Sequence, residues 1–569
     1  MKLLSLATIC ILISTCIEAR TFLFPIPQEV EWLGTKTLLS NDFRFMGIEN
    51  KYVQSAANRY LSLIKRERWR AVQVTTDNCT VVLTKKKLKG IHFQVEDNSA
   101  KLDMGIDESY SLIVPELGGY ATLKAKTWVG ALRGLETFSQ LVLEDDDDDD
   151  HQLVVHTVNI TDYPTYGHRG ILLDTSRHFF SVNSILRVLD AQAYNKMNVL
   201  HWHATDSQSW PLYFRSHPEL SEKGAYSSKE VYSPSDVKKI ISYAESLGVR
   251  VILEIDMPAH TASIGESHPN LILCGNEFWA DYAAEPPAGQ LNPILNATYD
   301  LIHDLILEGT KIFPDTLFHS GGDEINTACW ELDQGIKNYV KTHRLSSTKE
   351  IWFEFTKNIL HFITSKAKKR PIIWEDSIKD GGSYSNDTVV QAWIKPPGTY
   401  TKLGYDVIVS NYDYFYLDCG HGGWVGEDER YISSSQTETS DDVFNYGGSG
   451  GSWCAPFKTW QRIYSFDMTH GIEKSHGGKV LGGETAAWAE QIDENVIDGR
   501  LWPRSAAAAE IYWSGSYDTK AKRRTVKTVS ERFYDWNYRL QARGIQAEPV
   551  QPKYCHQHPG ACNLNNPKA

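Results

Sequence analysis

Positive charge is in deficit along the 569-residue chain: 58 Lys and Arg against 71 Asp and Glu leave a formal charge of −13. That balance argues against nucleic acid or an anionic membrane as the main partner, since both attract surplus cations. Long apolar runs are missing too. Past the first 17 residues nothing reaches the ~18 consecutive apolar residues of a spanning helix, so no membrane span is expected. No glycine-rich loop follows an early strand, which weakens a doubly wound nucleotide-binding fold. Histidines near later strand ends are sparse. His201-Trp202-His203 sets two imidazoles on one strand face, as a metal-dependent hydrolase would, yet only His260 and His319 stand by to complete a ligand set. No metal and no cofactor are expected.

What is present points elsewhere. Met1-Lys2 and the apolar stretch to about Ile17 have the layout of a secretory signal, with cleavage near Ala19. Sequons at Asn78, Asn159, Asn296 and Asn386 support export, to the outside or to a lysosomal or vacuolar lumen. Seven cysteines follow the signal. Spacing leaves their pairing open: Cys555 and Cys562 could staple the tail, Cys274 with Cys329 and Cys419 with Cys454 could each tie a loop, and Cys79 is left over. Six aspartates, Asp145 to Asp150, read as a solvated linker. Aromatics reach 11%, with 17 Trp and 28 Tyr; such rings fill cores, but they also stack on the apolar faces of sugars.

The expected organisation is a signal peptide (1–19), an N-terminal α+β domain (20–144), an acidic linker and lead-in segment (145–162), and a catalytic domain (163–569). Strand-like runs at 168–174, 198–203, 249–256, 316–321, 371–375, 388–393, 405–411 and 479–484 alternate with amphipathic helices. One helix carries Leu186, Leu189, Ala193 and Met197 on a stripe, the next Val237, Ile240, Ile241 and Ala244. Eight such units predict an α/β fold, a (β/α)8 TIM barrel. Residues 412–478 break the rhythm and read as an ordered loop insertion.

In a barrel the reactive groups gather where strands end. Here those places hold Asp174 and Arg177, His201 to Asp206, Glu254 to His260, Asp323-Glu324, Trp374-Glu375, Trp393, Tyr416 to Asp418, and Glu484 with Trp488 and Glu490. The run His319-Ser320-Gly321-Gly322-Asp323-Glu324 stands out. Adjacent carboxylates in different environments can supply one ionised and one protonated group, which cleavage of a sugar bond needs. The two glycines remove side chains where a ligand would need close backbone approach.

The stretches Arg169-Gly170-Ile171-Leu172-Leu173-Asp174-Thr175-Ser176-Arg177-His178, Asn198-Val199-Leu200-His201-Trp202-His203, His319 to Glu324 and Leu501-Trp502-Pro503-Arg504 resemble the β-N-acetylhexosaminidases of glycoside hydrolase family 20, over about residues 25 to 560. Leu417 to Trp424 and Ser452 to Pro456 are similar to its secreted fungal and chitin-degrading branch. The resemblance implies exo-cleavage of terminal β-linked GlcNAc or GalNAc from chitooligosaccharides and glycoconjugates, with retention and with the substrate's acetamido oxygen as nucleophile. It implies that Glu324 is the acid and base and that Asp323 orients the acetamido group. Tyr416 would donate to the acetamido oxygen, and Asp206 with His260 would tune Glu324. Trp374, Trp393 and Trp488 would wall the pocket, while Arg177, Asp418 and Glu490 would hold hydroxyls and Trp453 the next sugar. It further implies disulfides Cys274–Cys329, Cys419–Cys454 and Cys555–Cys562, and a homodimer. Ser207 departs from the animal relatives, which carry a second Asp there. Asp418 has no basic flank, which argues against anionic sugars. A catalytically inactive glycan-binding relative is the alternative, disfavoured by the presence of Asp323, Glu324 and Tyr416; an endo-chitinase would carry Asp-x-Asp-x-Glu, which is absent.

Overall fold

The structure is a computed structural model describing residues 22–70, 81–145, 151–425, 453–558 and 560–564. The expected leader, Asn78, Cys79, Asp146 to Asp150 and residues 426–452 of the insertion lie outside the described residues.

Alternating burial builds the first sheet. In β4 (Gly119–Thr127), preceded by β1 (Glu29–Met46), β2 (Val82–Asp97) and β3 (Tyr110–Val114), Ala121, Leu123 and Ala125 turn inward while Tyr120 and Lys124 face out, the period of a half-buried strand. With β5 (Val142–Glu144) and β6 (Leu153–Asp162) the order is β1-β2-β4-β3-β6-β5, β1 also pairing β6. Two helices, α1 (Lys51–Glu67) and α2 (Trp128–Leu141), complete this domain, α2 being buried along its whole length. β6 corrects the expected linker. Residues 153–162 pair with both β1 and β3, so the domain's sheet runs to Asp162. Val154 to Val158 are buried without interruption, so β6 lacks the alternation that marks a half-exposed strand.

The second domain is the expected barrel. Strands β7 (His168–Asp174), β8 (Val199–His203) and β9 (Arg250–Glu254) are followed by a short excursion, β10 (Ile272–Leu273) and β11 (Gln290–Leu291). Then come β12 (Leu317–His319), β13 (Arg370–Trp374), β14 (Val389–Ala392), β15 (Asp406–Val409) and β16 (Val480–Ala487). All eight long-range partners are parallel, and β16 on β7 and β12 on β9 close the ring. Helix α3 (Val182–Tyr194) buries Leu189 and Ala193 of the expected stripe, together with Ile185 and Val188; Leu186 is partly covered, and Met197 is buried just past the helix end. Further on lie α4 (Pro218–Gly224), α5 (Pro234–Ser246), α6 (Trp279–Tyr282), α7 (Asn296–Ile312) and α8 (Thr327–Leu332). In α5, Val237, Ile240 and Ala244 are buried as expected and Ile241 partly so.

The barrel interior is layered. Val199, Ile252, Leu317, Ile372, Val389, Ile408 and Leu481 form an apolar floor. Above them sit His168, His201, Glu254, His319, Gln391 and Glu484, and above those an aromatic layer of Trp374, Trp393, Tyr416 and Trp488. Beneath the floor, buried charges join the two domains. Glu108 accepts from Arg133 (2.8 Å), Arg169 (2.6 Å) and Asn198 (2.8 Å). Asp162 accepts from Lys196 (2.8 Å), Tyr110 (2.6 Å) and Trp513 (2.9 Å). Disulfides join Cys274–Cys329, Cys419–Cys454 and Cys555–Cys562. Asn296 and Asn386 are exposed, whereas Asn159 sits in β6 and donates to Glu31.

Candidate active site

β12 ends at His319 and the chain turns sharply. Gly321 has φ +62°, Glu324 φ +53°. A Cβ on Gly321 would lie 1.7 Å from Oδ1 of Asp256, and the Gly322 N–H donates to that same oxygen at 2.8 Å. The close approach that demands glycine is therefore made by a protein carboxyl, not by a ligand as the glycine pair suggested. A left-handed glutamate costs on the order of 1–3 kcal/mol and persists only where its surroundings over-determine it. Here Asn326 caps α8, Gln290 exchanges two hydrogen bonds with the Asn326 backbone (2.7 and 3.2 Å), and Cys329 is tied to Cys274.

The result separates neighbours. Asp323 is buried and Glu324 exposed. Glu324 Oε2 lies 3.4 Å from Nε2 of His260, whose Nδ1 is 3.0 Å from Asp206 Oδ1. His260 also has positive φ, 59°. Asp206 Oδ2 meets His203 (3.0 Å) and Arg177 (2.8 Å). His203 passes to Glu254 (2.6 Å), Glu254 to His201 (2.9 Å), and His201 to Glu484 (2.8 Å). Carboxylates and imidazoles thus alternate from the barrel's middle to Glu324. Burial opposes charge on these rings, but Glu484 and Glu254 hold His201 up to about 9, and Glu254 with Asp206 holds His203 up to about 10. Burial likewise opposes the charge of Asp206, yet Arg177 and His260 keep its carboxyl well below the usual range. The His201-Trp202-His203 pattern is accounted for by these contacts: both rings point inward, as period two requires, and their nitrogens meet carboxylates.

Tyr416, which faces Asp323, stands in a cluster with three tryptophans. Tyr416 lies parallel to Trp393 at 6.2 Å and edge-on to Trp488 at 6.0 Å; Trp374 is 5.9 Å from Trp488. Trp374 is fixed by an N–H bond to Glu254 (2.8 Å), Trp393 by one to Asp376 (2.7 Å). Trp453, 63% exposed, stands edge-on to Trp393 and Tyr416 at the rim. Glu490 and Asp418 face Arg177. Burial, then Glu285, pushes Glu490 well up, and burial pushes Asp418 to about 7. Arg504 of the Leu-Trp-Pro-Arg stretch donates to the Leu417 carbonyl (2.8 Å), positioning the segment that carries Asp418. Ser207 donates its N–H to Asp206 and accepts from Ala262 N–H (3.4 Å), so the position adds no carboxylate.

The twelve residues expected at the site thus gather at one end of the barrel. Further residues, to which the sequence assigns no role, join them. Glu285, in an Ala-Ala-Glu-Pro-Pro loop, clamps Arg177 through two nitrogens and accepts from Gln208 (3.1 Å). With Ser207, His260, Tyr282, Gln290 and Glu324 it lines a small pocket. Glu254 ends β9, Asp256 follows two residues on, both buried, and Asp376 follows the Trp-Glu signal.

The match to the catalytic domain of glycosyl hydrolase family 20 covers residues 166–516, and residues 23–141 match a β-acetyl hexosaminidase-like domain. The chain belongs to glycosyl hydrolase family 20. The family 20 chain is 36% identical to Beta-hexosaminidase 1 of Coccidioides posadasii over 568 residues, 95% of this chain and 94% of that protein. It is 36% identical to the chitooligosaccharidolytic beta-N-acetylglucosaminidase of Ostrinia furnacalis, over 82% of this chain and 76% of that one. Among solved structures it resembles Flavobacterium johnsoniae chitobiase with a TM-score of 0.70 at 26% identity, spanning 92% of this chain and 73% of that chain.

Proposed function

We propose that this family 20 glycoside hydrolase removes terminal β-linked GlcNAc or GalNAc from chitooligosaccharides and glycoconjugates, the substrate's acetamido oxygen attacking C1 with retention. The observation that carries the reading is the division between the two carboxyls. Glu324 is exposed beside His260, where it can protonate the leaving oxygen and then activate water. Asp323 is buried against Tyr416 and the tryptophan wall, where it can orient the acetamido N–H and face the positive oxazolinium. Tyr416 donates to the acetamido oxygen, while Arg177, Asp418 and Glu490 take the sugar hydroxyls. Asp206 and His260 position Glu324. The apolar leader, sequons and disulfides support passage through the secretory pathway, into a lumen or outside; among the described residues no helix is long and apolar enough to cross a membrane. A homodimer rests on the family resemblance.

Turnover of nitrophenyl β-GlcNAc, β-GalNAc and β-glucoside tests the reading. The two acetamido sugars should be cleaved and the glucoside almost untouched. Comparable turnover of the glucoside would sink substrate assistance, and no turnover of any of them would return the chain to a glycan-binding role.

A further inference from the structure

Asp256 lies two residues past the end of β9, beside the catalytic loop, and nothing in the proposed chemistry uses it. Its Oδ1 is committed as an acceptor to Gly322 N–H and pressed against Gly321. Its carboxyl lies beside that of Asp323. Oδ2 of Asp256 and Oδ1 of Asp323 are both buried, and among the described residues neither receives an N–H or O–H donor from any other residue. Two carboxylates are acceptors only, so a hydrogen bond between them requires a proton. We propose that Asp256 and Asp323 hold one proton between them, with Asp256 as the neutral donor and therefore the positioning residue of the acetamido-directing carboxylate.

The surroundings fit this assignment. His260, Glu254 and Asp206 face Asp256; His260, Asp376 and Tyr416 face Asp323. His260 Nε2 lies 3.8 Å from Asp323 and 3.4 Å from Glu324, too far to serve Asp323 as its donor. Burial raises both acids, Asp256 to about 7; Asp256 raises Asp323 further, whereas the contact with Asp323 lowers Asp256. The pair thus keeps its proton through the acidic range. A cation forming beside Asp323 favours the ionised form on that side, which leaves the proton on Asp256. The donor then fixes the carboxylate's orientation without neutralising it.

The test rests on Asp323 acting as proposed above, so Asp323→Asn is measured alongside. The substrate is an aryl GlcNAc whose leaving group needs no proton, which removes Glu324 from the basic limb. Asp256→Asn keeps the acceptor for Gly322 and a permanent donor for Asp323. It should retain kcat near wild type in acid, extend the basic limb, and lose the infrared band of a protonated carboxyl. Asp256→Ala should lower kcat by about 10²-fold, the cost of a misplaced catalytic group, with KM changed far less. Asp256→Asn as impaired as Asp256→Ala, or a basic limb that does not move, would overturn the shared proton. Full activity in Asp323→Asn would instead overturn the role given to Asp323.

Discussion

The two ends of the barrel bury charge in opposite ways. Beneath the floor, Glu108 and Asp162 each meet cations and further donors at hydrogen-bond distance. Burial opposes the charge of Glu108, but Arg169 and Arg133 hold its carboxyl below the usual range. At the top, carboxyls face one another. Asp256, Asp323, Asp418 and Glu490 are all raised, first by burial; Asp256 and Asp323 face each other across the proposed shared proton, and Asp418 keeps a buried oxygen that no donor among the described residues reaches. Satisfied charges tie domains together; unsatisfied ones are held ready for a ligand. Stability and activity should therefore respond oppositely to substitutions at the two ends.

The largest effect is expected at the top. Glu324→Gln should lower turnover of chitobiose by about 10²–10⁴-fold, the usual worth of general acid help, and should cost less with an activated aryl leaving group. Equal losses on both substrates would remove Glu324 from the acid role. At the base, Lys196→Met leaves Asp162 buried without its cation and should destabilise by about 3–5 kcal/mol, seen in denaturant unfolding, while kcat per folded molecule stays unchanged. A parallel fall in kcat would erase the division between the ends. The linked pH dependence has a definite sign. The depressed carboxyl of Glu108 contributes stability above the unfolded value of about 4.3 and loses it as pH falls through the folded value. The raised His201 and His203 contribute below about 6.5 and lose it as pH rises through about 9 and 10.

Asp418→Asn should move the two properties apart. A carboxyl raised to about 7 binds its proton more tightly folded than unfolded, so stability falls as pH rises from about 3.9 toward 7. The amide removes that loss: Tm should rise most at neutral pH, less at pH 5 and hardly at all below the unfolded value of about 3.9, while turnover drops. A lower Tm at neutral pH would place Asp418 among the structural charges. The smallest effect belongs to the rim. Trp453→Ala should weaken chitooligosaccharide turnover more than nitrophenyl-GlcNAc turnover, by about 0.5–1.5 kcal/mol for an aromatic contact. Equal losses would make the ring structural.

The top of the barrel was far more legible in the sequence than the base. Each barrel strand is a short apolar run bounded by turn residues, so all eight were found within a few positions, and chemistry at strand ends follows from the architecture. Asp323, Glu324 and Tyr416 could be named on that ground together with a family resemblance. β6 reads as linker in the sequence because it is buried without alternation and follows a run of aspartates. Glu285, Asp256 and Lys196 owe their roles to partners far along the chain, Arg177, Gly321 and Asp162. A lone Glu between alanine and proline carries no periodic signal, and only packing shows that Gly321 makes room for Asp256 and not for a ligand.

The central claim is that the substrate's own acetamido oxygen attacks C1. A series of aryl GlcNAc substrates with zero to three fluorines on the acetyl methyl tests it most directly, because each fluorine weakens that oxygen as a nucleophile and leaves the leaving group untouched. The account predicts that kcat/KM falls steeply with every fluorine added. A flat series, with a glycosyl ester trapped on an Asp or Glu and identified by mass spectrometry, would contradict it and make a protein carboxylate the nucleophile.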